Sequence, residues 1–421
     1  GSDLLSSKRV KTIYDSCNRI KTTTRAFGTP DTRITEFTYC PSGKIATKTL
    51  PDGITLSYSY DALDNLKSID SSDASVSHSF SYNLVGQLLA ATDVLQKLHV
   101  QRSLDSNGNV TLEKFPGGTN IKKSYDNFNR PLAITLPDGS EVTYIYDPLF
   151  LKSVRRFSSS GEMLYEHCYD AYDTSGHLTK ESLIAELGAA LHETDLVGQS
   201  LGISSGYFTQ KNRFDEVGNL VEQVVNDVRE EFGYDDLSQL ISESDHNYKY
   251  DSTFNRTEDS KEQYFYNTLD EQLSVGNLKY IYDLRGNLIE KSVSGEVQKF
   301  GYDVLNRLIE IVKNDKKTSF IYDPIGRRIG KIQYDFSDNE WKENARESIL
   351  YDGNNDIGAL SSEGGIKEFR VLGLREHPEK LATVAIELDG KVYAPLLDSQ
   401  GNVRSLIDIA TKVVAATYDY T

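Results

Sequence analysis

Along most of this chain, apolar and polar positions alternate for five or six residues, stop at a short acidic segment, and resume beyond it. Tyr58 and Tyr60, Tyr144 and Tyr146, Tyr280 and Tyr282, and Phe320 and Tyr322 are four of the aromatic pairs spaced two apart. Residues two apart on a strand share a face, so each pair lies on one side of a sheet, while Ser59, Thr143 and Lys279 face the other. Directly after the pair comes Asp-x-x-Gly, as in Asp283-Leu284-Arg285-Gly286. Aspartate first and glycine fourth suit a type I turn: the carboxylate accepts from backbone N–H groups just ahead, and glycine tolerates the exit conformation. A second turn closes some units, as in "LPDG" at 50–53 and 136–139 and "FPGG" at 115–118. The pattern predicts strand, Asp-turn, strand, looser turn.

This unit recurs. It begins at "YDSCNRI" (14) and runs through "YDALDNL" (60), "YDNFNRP" (125), "FDEVGNL" (214) and "YDLRGNL" (282) to "YDPIGRR" (322). Sixteen such units can be counted, mostly 20–22 residues apart, and fourteen of the 26 tyrosines are followed by aspartate. The turn aspartates include Asp15, Asp61, Asp126, Asp147, Asp173, Asp215, Asp235, Asp251, Asp283, Asp303 and Asp323. A fixed period of this kind marks one supersecondary unit repeated, and a ligand site is not expected at every hairpin, so these acids read as structural.

Sixteen hairpins supply ~32 strands, and at ~4.8 Å between neighbours the sheet would be on the order of 150 Å wide. Open sheets rarely pass ~10 strands without curling. The sheet must therefore roll, either into a solenoid with a dry centre or into a shell around a space. A mean hydropathy of −0.47 leaves little apolar area for a second buried face and favours the shell. Tyrosines suit a surface that packs on its neighbours yet stays partly wet.

Composition narrows the partners. The net charge of −17, with no basic run, argues against nucleic acid and anionic membranes. Cys17, Cys40 and Cys168 are an odd set without paired spacing and read as ordinary thiols. The seven histidines show no His-Glu-x-x-His, and there is no Walker loop or dinucleotide fingerprint, so neither a metal nor a cofactor is expected. The longest apolar stretches, such as 381–388, are too short for a membrane-spanning helix. Gly1-Ser2 reads as a cloning remnant. "SLIAELGAALHETD" (182–195) is the one stretch of helical composition; because it falls inside a repeat, a local variation on the hairpin is expected.

The Tyr-Asp-x-x-Gly-Asn-Leu units closely resemble the YD repeats of the Rhs proteins, which are shared with the C components of bacterial ABC toxins and with teneurins. The resemblance covers nearly the whole chain. It implies an all-β fold, a long spiralling antiparallel sheet of YD-repeat hairpins forming a hollow shell or part of one. It also implies that the shell encloses a C-terminal toxin or effector domain of a secreted bacterial polymorphic toxin. On this reading residues 1–330 are the hairpin array of the wall, and the partners are the cargo and a secretion or delivery protein.

After Tyr322 the rhythm breaks. An insertion holds the only tryptophan, Trp341, and the order "YDGNNDIGALSSEGG" (351–365), "FRVLG" (369–373) and "VAIELDGKVYAPLLDSQGNVRSLID" (384–408) looks like the Rhs-associated core. Residues 331–421 are then a core-like end plug. In processed relatives that core is an aspartyl autoprotease. The matching positions are Asp398, Asp408 and Arg404 between them, with Ser399-Gln400 in place of the family's common His-Leu. Paired carboxylates can share a proton, one activating water and the other protonating the leaving amine. The sequence ends at Tyr418-Asp419-Tyr420-Thr421, about where the resemblance places the start of the cleaved element. The plain alternative is that Asp398 is another turn aspartate and Asp408 a solvated loop carboxylate. A competing function is an extracellular carbohydrate-binding or adhesion module, against which a single tryptophan counts.

Overall fold

The computed structural model describes residues 9–377 and 380–420. Among them are forty β-strands, two single 3-10 turns and no α-helix. The ladders are antiparallel and join strands adjacent in sequence, as in Thr55–Tyr60 with Leu66–Ser71 and Leu278–Tyr282 with Leu288–Val293. The all-β class and the long sheet of hairpins therefore hold. In Leu278–Tyr282, Tyr280 and Tyr282 are half-buried while Lys279 and Ile281 are exposed, the alternation that the aromatic spacing predicts.

The 182–195 stretch forms a hairpin. Strand Leu178–Ser182 passes through a 3-10 turn at Ile184–Glu186 into strand Ala189–Thr194, so the repeat overrides local helix propensity there. The ribbon itself is interrupted. Ladders of 23 and 15 strands flank a two-stranded piece, Lys249–Tyr250 with Arg256–Glu258. The repeat here steps only from Tyr250 to Tyr266, and "TEDSKEQ" at 257–263 puts four charges in seven residues, a composition that makes poor strand.

The chain forms two compact units, each drawn from early and late parts of the sequence. Strand Arg328–Ser337 lies in the first unit up to its end. The first unit holds residues 9–104, 113–118 and 249–346. In it the late run of hairpins lies on the early run, and YD turns of the late run meet the looser turns of the early one. Arg33 clasps Glu271 through two hydrogen bonds of 2.6 and 2.9 Å, and Arg285 pairs with Asp52 of the "LPDG" turn at 3.1 Å. Val304, at the tip of the Asp303 turn, is buried in a cluster with Leu50, Leu56 and Val76. Further along, Arg327 bonds Asp323 at 2.7 Å and Glu113 at 3.1 Å, and Glu113 bonds Arg102 at 2.9 Å. Asp323 is fully buried, Glu113 and Arg327 nearly so.

The second unit holds residues 105–112, 119–248 and 347–420, and its ion pairs also join early residues to late ones. Lys123 pairs with Asp352. Buried Arg156 bonds Glu387 at 2.8 Å, and the Tyr165 hydroxyl donates to the same carboxylate at 2.5 Å.

Candidate functional site

The repeated turn is the natural place to look for chemistry, and its geometry is uniform. At Asp283, Oδ1 accepts from the backbone N–H of Arg285 (2.8 Å) and Asn287 (2.9 Å), and Oδ2 accepts from the Asn287 side chain (2.8 Å). Asp15, Asp61, Asp126, Asp147, Asp173, Asp215, Asp235, Asp251, Asp303 and Asp323 each accept from the N–H two residues ahead in the same manner. Backbone N–H donors, Phe150 then Leu149 at Asp147 and Gln239 foremost at Asp235, hold these two carboxyls below the usual aspartate range. A folded-state pKa below the unfolded one means the turn's support is complete above the ordinary aspartate value and is lost as pH falls beneath it. The turns are acid-sensitive clips with their carboxylates already occupied.

The residue at the fourth turn position takes a left-handed conformation: glycine at 286 (φ 91°), but Asn129, Asn306 and Phe254 at other turns (φ 62°, 61° and 67°). Asparagine tolerates this region and phenylalanine does not. Phe254 is also exposed, so its ring gains little in compensation. Phe254→Gly is expected to stabilise the 249–258 segment by about 1 kcal/mol, read as slower amide exchange there with unchanged exchange elsewhere.

Two contacts that bind one repeat to the next are absent from the sequence reading. The first uses the tyrosine of Tyr-Asp. Its hydroxyl donates to the carbonyl of the residue that restarts the strand in the preceding unit: Tyr60 to Ile45 (2.9 Å), Tyr172 to Leu151 (2.7 Å), Tyr234 to Leu220 (2.9 Å) and Tyr322 to Leu308 (2.8 Å). Each such bond contributes on the order of 1 kcal/mol. Burial pushes the Tyr172 phenol up to about 12, with the Asp147 and Glu181 carboxylates adding to it, so it stays a donor at any ordinary pH. The second contact comes from the residue after the fourth turn position. Where it is basic, its cation lies over the next repeat's ring, as with Arg19 on Tyr39 and Arg130 on Tyr146. Where it is asparagine, it reaches the next turn: Asn109 to Asn129 (2.8 Å), Asn287 to Asn306 (3.0 Å) and Asn255 to Asp270 (2.9 Å). The turns ending Gly-Asn at Asn109 and Asn287 are each followed by a turn ending Asn-Arg.

The residues proposed for self-cleavage occupy one hairpin but not one site. Asp398 is buried and caps its own turn, accepting from the N–H groups of Gln400 and Asn402 at 2.9 Å each. Arg404 Nε donates to its other oxygen at 3.0 Å. Asp408 sits at the far end of strand Val403–Asp408, opposite Tyr393, and accepts from Ala410 and Thr411 in the following turn. Five strand residues set the two carboxylates roughly 17 Å apart. Asp398 and Arg404 are thus brought together, and Asp408 is not.

What holds the Asp398 turn is an amide cluster. Gln210, almost fully buried, accepts from the Ser399 N–H (2.9 Å) and donates to Ser399 Oγ (3.0 Å); Asn212 donates to the same Oγ (3.0 Å). A signal existed in the sequence, since Asn212 replaces the first aromatic of the pair before Phe214. Trp341 packs on Phe336, ring centroids 5.0 Å apart, beneath the Lys317 ammonium, and so is engaged in packing. Among the described residues no group of three His, Cys, Asp or Glu is arranged to hold a metal, and no helix is long and apolar enough to cross a membrane.

The family model of the teneurin YD-shell matches residues 7–196 and 204–340. Curated proteins give no match. Among solved structures, a TcdB2-TccC3-Cdc42 crystal structure is 13% identical, with 94% of this chain and 28% of that chain covered at a TM-score of 0.45. A TcdB2-TccC3 structure without the hypervariable C-terminal region is 12% identical, with 99% and 30% covered at 0.43. A Photorhabdus luminescens Tc holotoxin pore is 13% identical, with 95% and 23% covered at 0.38. The chain spans less than a third of the length of each.

Proposed function

This chain belongs to the teneurin YD-shell family, and from that premise we propose that it forms part of the wall of a shell that encloses a C-terminal toxin or effector domain of a secreted protein, handed on by a delivery partner. The observation that carries the reading is the array itself: YD hairpins stapled unit to unit by tyrosine hydroxyls, with the turn carboxylates spent on their own backbones. Such a surface offers positions for packing and few for catalysis. A carbohydrate-binding role has no support of its own, because the lone tryptophan is engaged in packing.

The test is protease protection in the polypeptide as its gene encodes it. Segments beyond the array are expected to resist digestion until the wall is unfolded. Digestion at the rate of the same segment expressed alone would refute enclosure. Self-cleavage enters the proposal in narrowed form, centred on Asp398 with Arg404 as its positioning partner. Asp398→Asn is expected to abolish cleavage in the full-length protein and Asp408→Asn to leave it intact, read on a denaturing gel. Equal cleavage in both variants would remove Asp398 from any such role.

A further inference from the structure

In the first unit the looser turns of the early run and the YD turns of the late run do not close completely on one another. Between them lies a cavity of about 250 Å³. Its apolar wall is made by Ile54, Val304 and Ile309 and by the rings of Tyr302, Phe320 and Tyr322. Two guanidiniums and three carboxylates also line it, and their charges do not cancel. Arg307 is spent on the Asp303 carboxylate (2.6 Å) and lies over the Tyr322 ring. Arg285 is spent on Asp52 (3.1 Å) and on the Asp303 carbonyl (2.6 Å). That leaves Asp73 and Asp93, with which no Lys or Arg pairs among the described residues.

Asp93 is the anomaly, because only 3% of it is exposed. Its Oδ1 accepts from the N–H groups of Leu95 (3.0 Å) and Gln96 (2.9 Å). Its Oδ2 faces His78 Nε2 at 3.4 Å, long for a hydrogen bond, and neither nitrogen of that buried ring has a hydrogen-bond partner. Burial first, and then the Arg307 cation, hold His78 below the usual histidine range, so the ring is neutral at neutral pH. The Ser71 hydroxyl, foremost, keeps Asp73 below the usual aspartate range, so that carboxyl is ionised. A carboxylate withdrawn from water needs a partner to offset its desolvation. We propose that the cavity takes a primary ammonium group on a short alkyl stem, with its charge set against Asp93 and Asp73 and its stem against the apolar wall. An ammonium brings three donors, and the aromatic faces attract its charge. A metal ion fits less well, since among the described residues no three ligands converge to hold one. An anion would meet two carboxylates that no cation offsets.

Two sources carry that group, a free small amine and a lysine side chain from outside the described residues, and one experiment separates them. Putrescine is titrated calorimetrically into the protein as its own gene encodes it, at constant ionic strength, with butanol and potassium chloride as control titrants. For a free amine, saturable binding is expected that weakens roughly tenfold in Asp93→Asn and in Asp73→Asn, the loss of one charge-assisted bond. Asp93→Asn keeps an oxygen for the Leu95 and Gln96 N–H groups and so preserves the turn. Asp138→Asn, the same change at an exposed looser turn of the second unit, is expected to bind as wild type does. No putrescine binding, together with carbodiimide coupling of Asp73 to a lysine outside the described residues, read by peptide mass spectrometry, identifies the lysine as the source. Equal binding in wild type and Asp93→Asn, equal heats from potassium chloride or butanol, or neither putrescine binding nor such a coupled lysine would overturn the proposal.

Discussion

Arg327→Ala is expected to destabilise the first unit by about 3–5 kcal/mol, the loss that follows when one partner of a buried ion pair is removed. The guanidinium lies between Asp323 and Glu113 and stacks 4.9 Å from the Phe115 ring centroid. Burial alone would lower its pKa, but the Asp323 and Glu113 carboxylates outweigh that and raise it, so the cation is held in place electrostatically. Without it Asp323 is left with its backbone donors alone and Glu113 with Arg102 alone. The measurement is urea unfolding followed by amide exchange at 113–118 and 320–328, since two units need not unfold together. Arg327→Met with Glu113→Gln is expected to recover much of the loss, because it removes buried charge along with the pairing. Equal destabilisation by the single and double changes would show that packing, and not charge, dominates the site.

Val304→Asp is the second large effect, expected to cost about 4 kcal/mol: roughly 1.5–2 kcal/mol of lost apolar burial, and the remainder from a carboxylate forced among Leu50, Leu56 and Val76. Leu196→Asp, the same chemical change at an exposed tip of the second unit, is expected to stay within about 0.5 kcal/mol of wild type. The pair measured by the same denaturant titration separates a turn tip that is covered from one that is not. Similar losses at both positions would mean that the tips are covered alike.

Much of this architecture is legible in the residues. The two-residue aromatic spacing gives the strands, and Asp-x-x-Gly gives the turns, because both signals are local and depend on backbone sterics. The 250–266 interruption was also available, in four charges within seven residues. The pairing between early and late hairpins was not. It rests on contacts such as Arg33 with Glu271 and Glu113 with Arg327, whose partners lie over two hundred residues apart and share no period. The candidate site was legible only in part. Asp398 and Arg404 meet as their spacing allows, whereas the distance to Asp408 depends on where the hairpin turns: the reversal begins at Asp398 itself, which sends Asp408 to the opposite end of the strand.

The bonds from Asn109 to Asn129 and from Asn287 to Asn306 have a consequence for how such chains grow. In both, a turn ending Gly-Asn donates to a turn whose fourth residue is a left-handed asparagine. A gene duplication that copied only the hairpin of Asn287 would set that donor against a glycine, while copying both hairpins in tandem keeps the bond. At these two places, recombination that lengthens or shortens the array is expected to proceed in steps of about forty residues, by dyads.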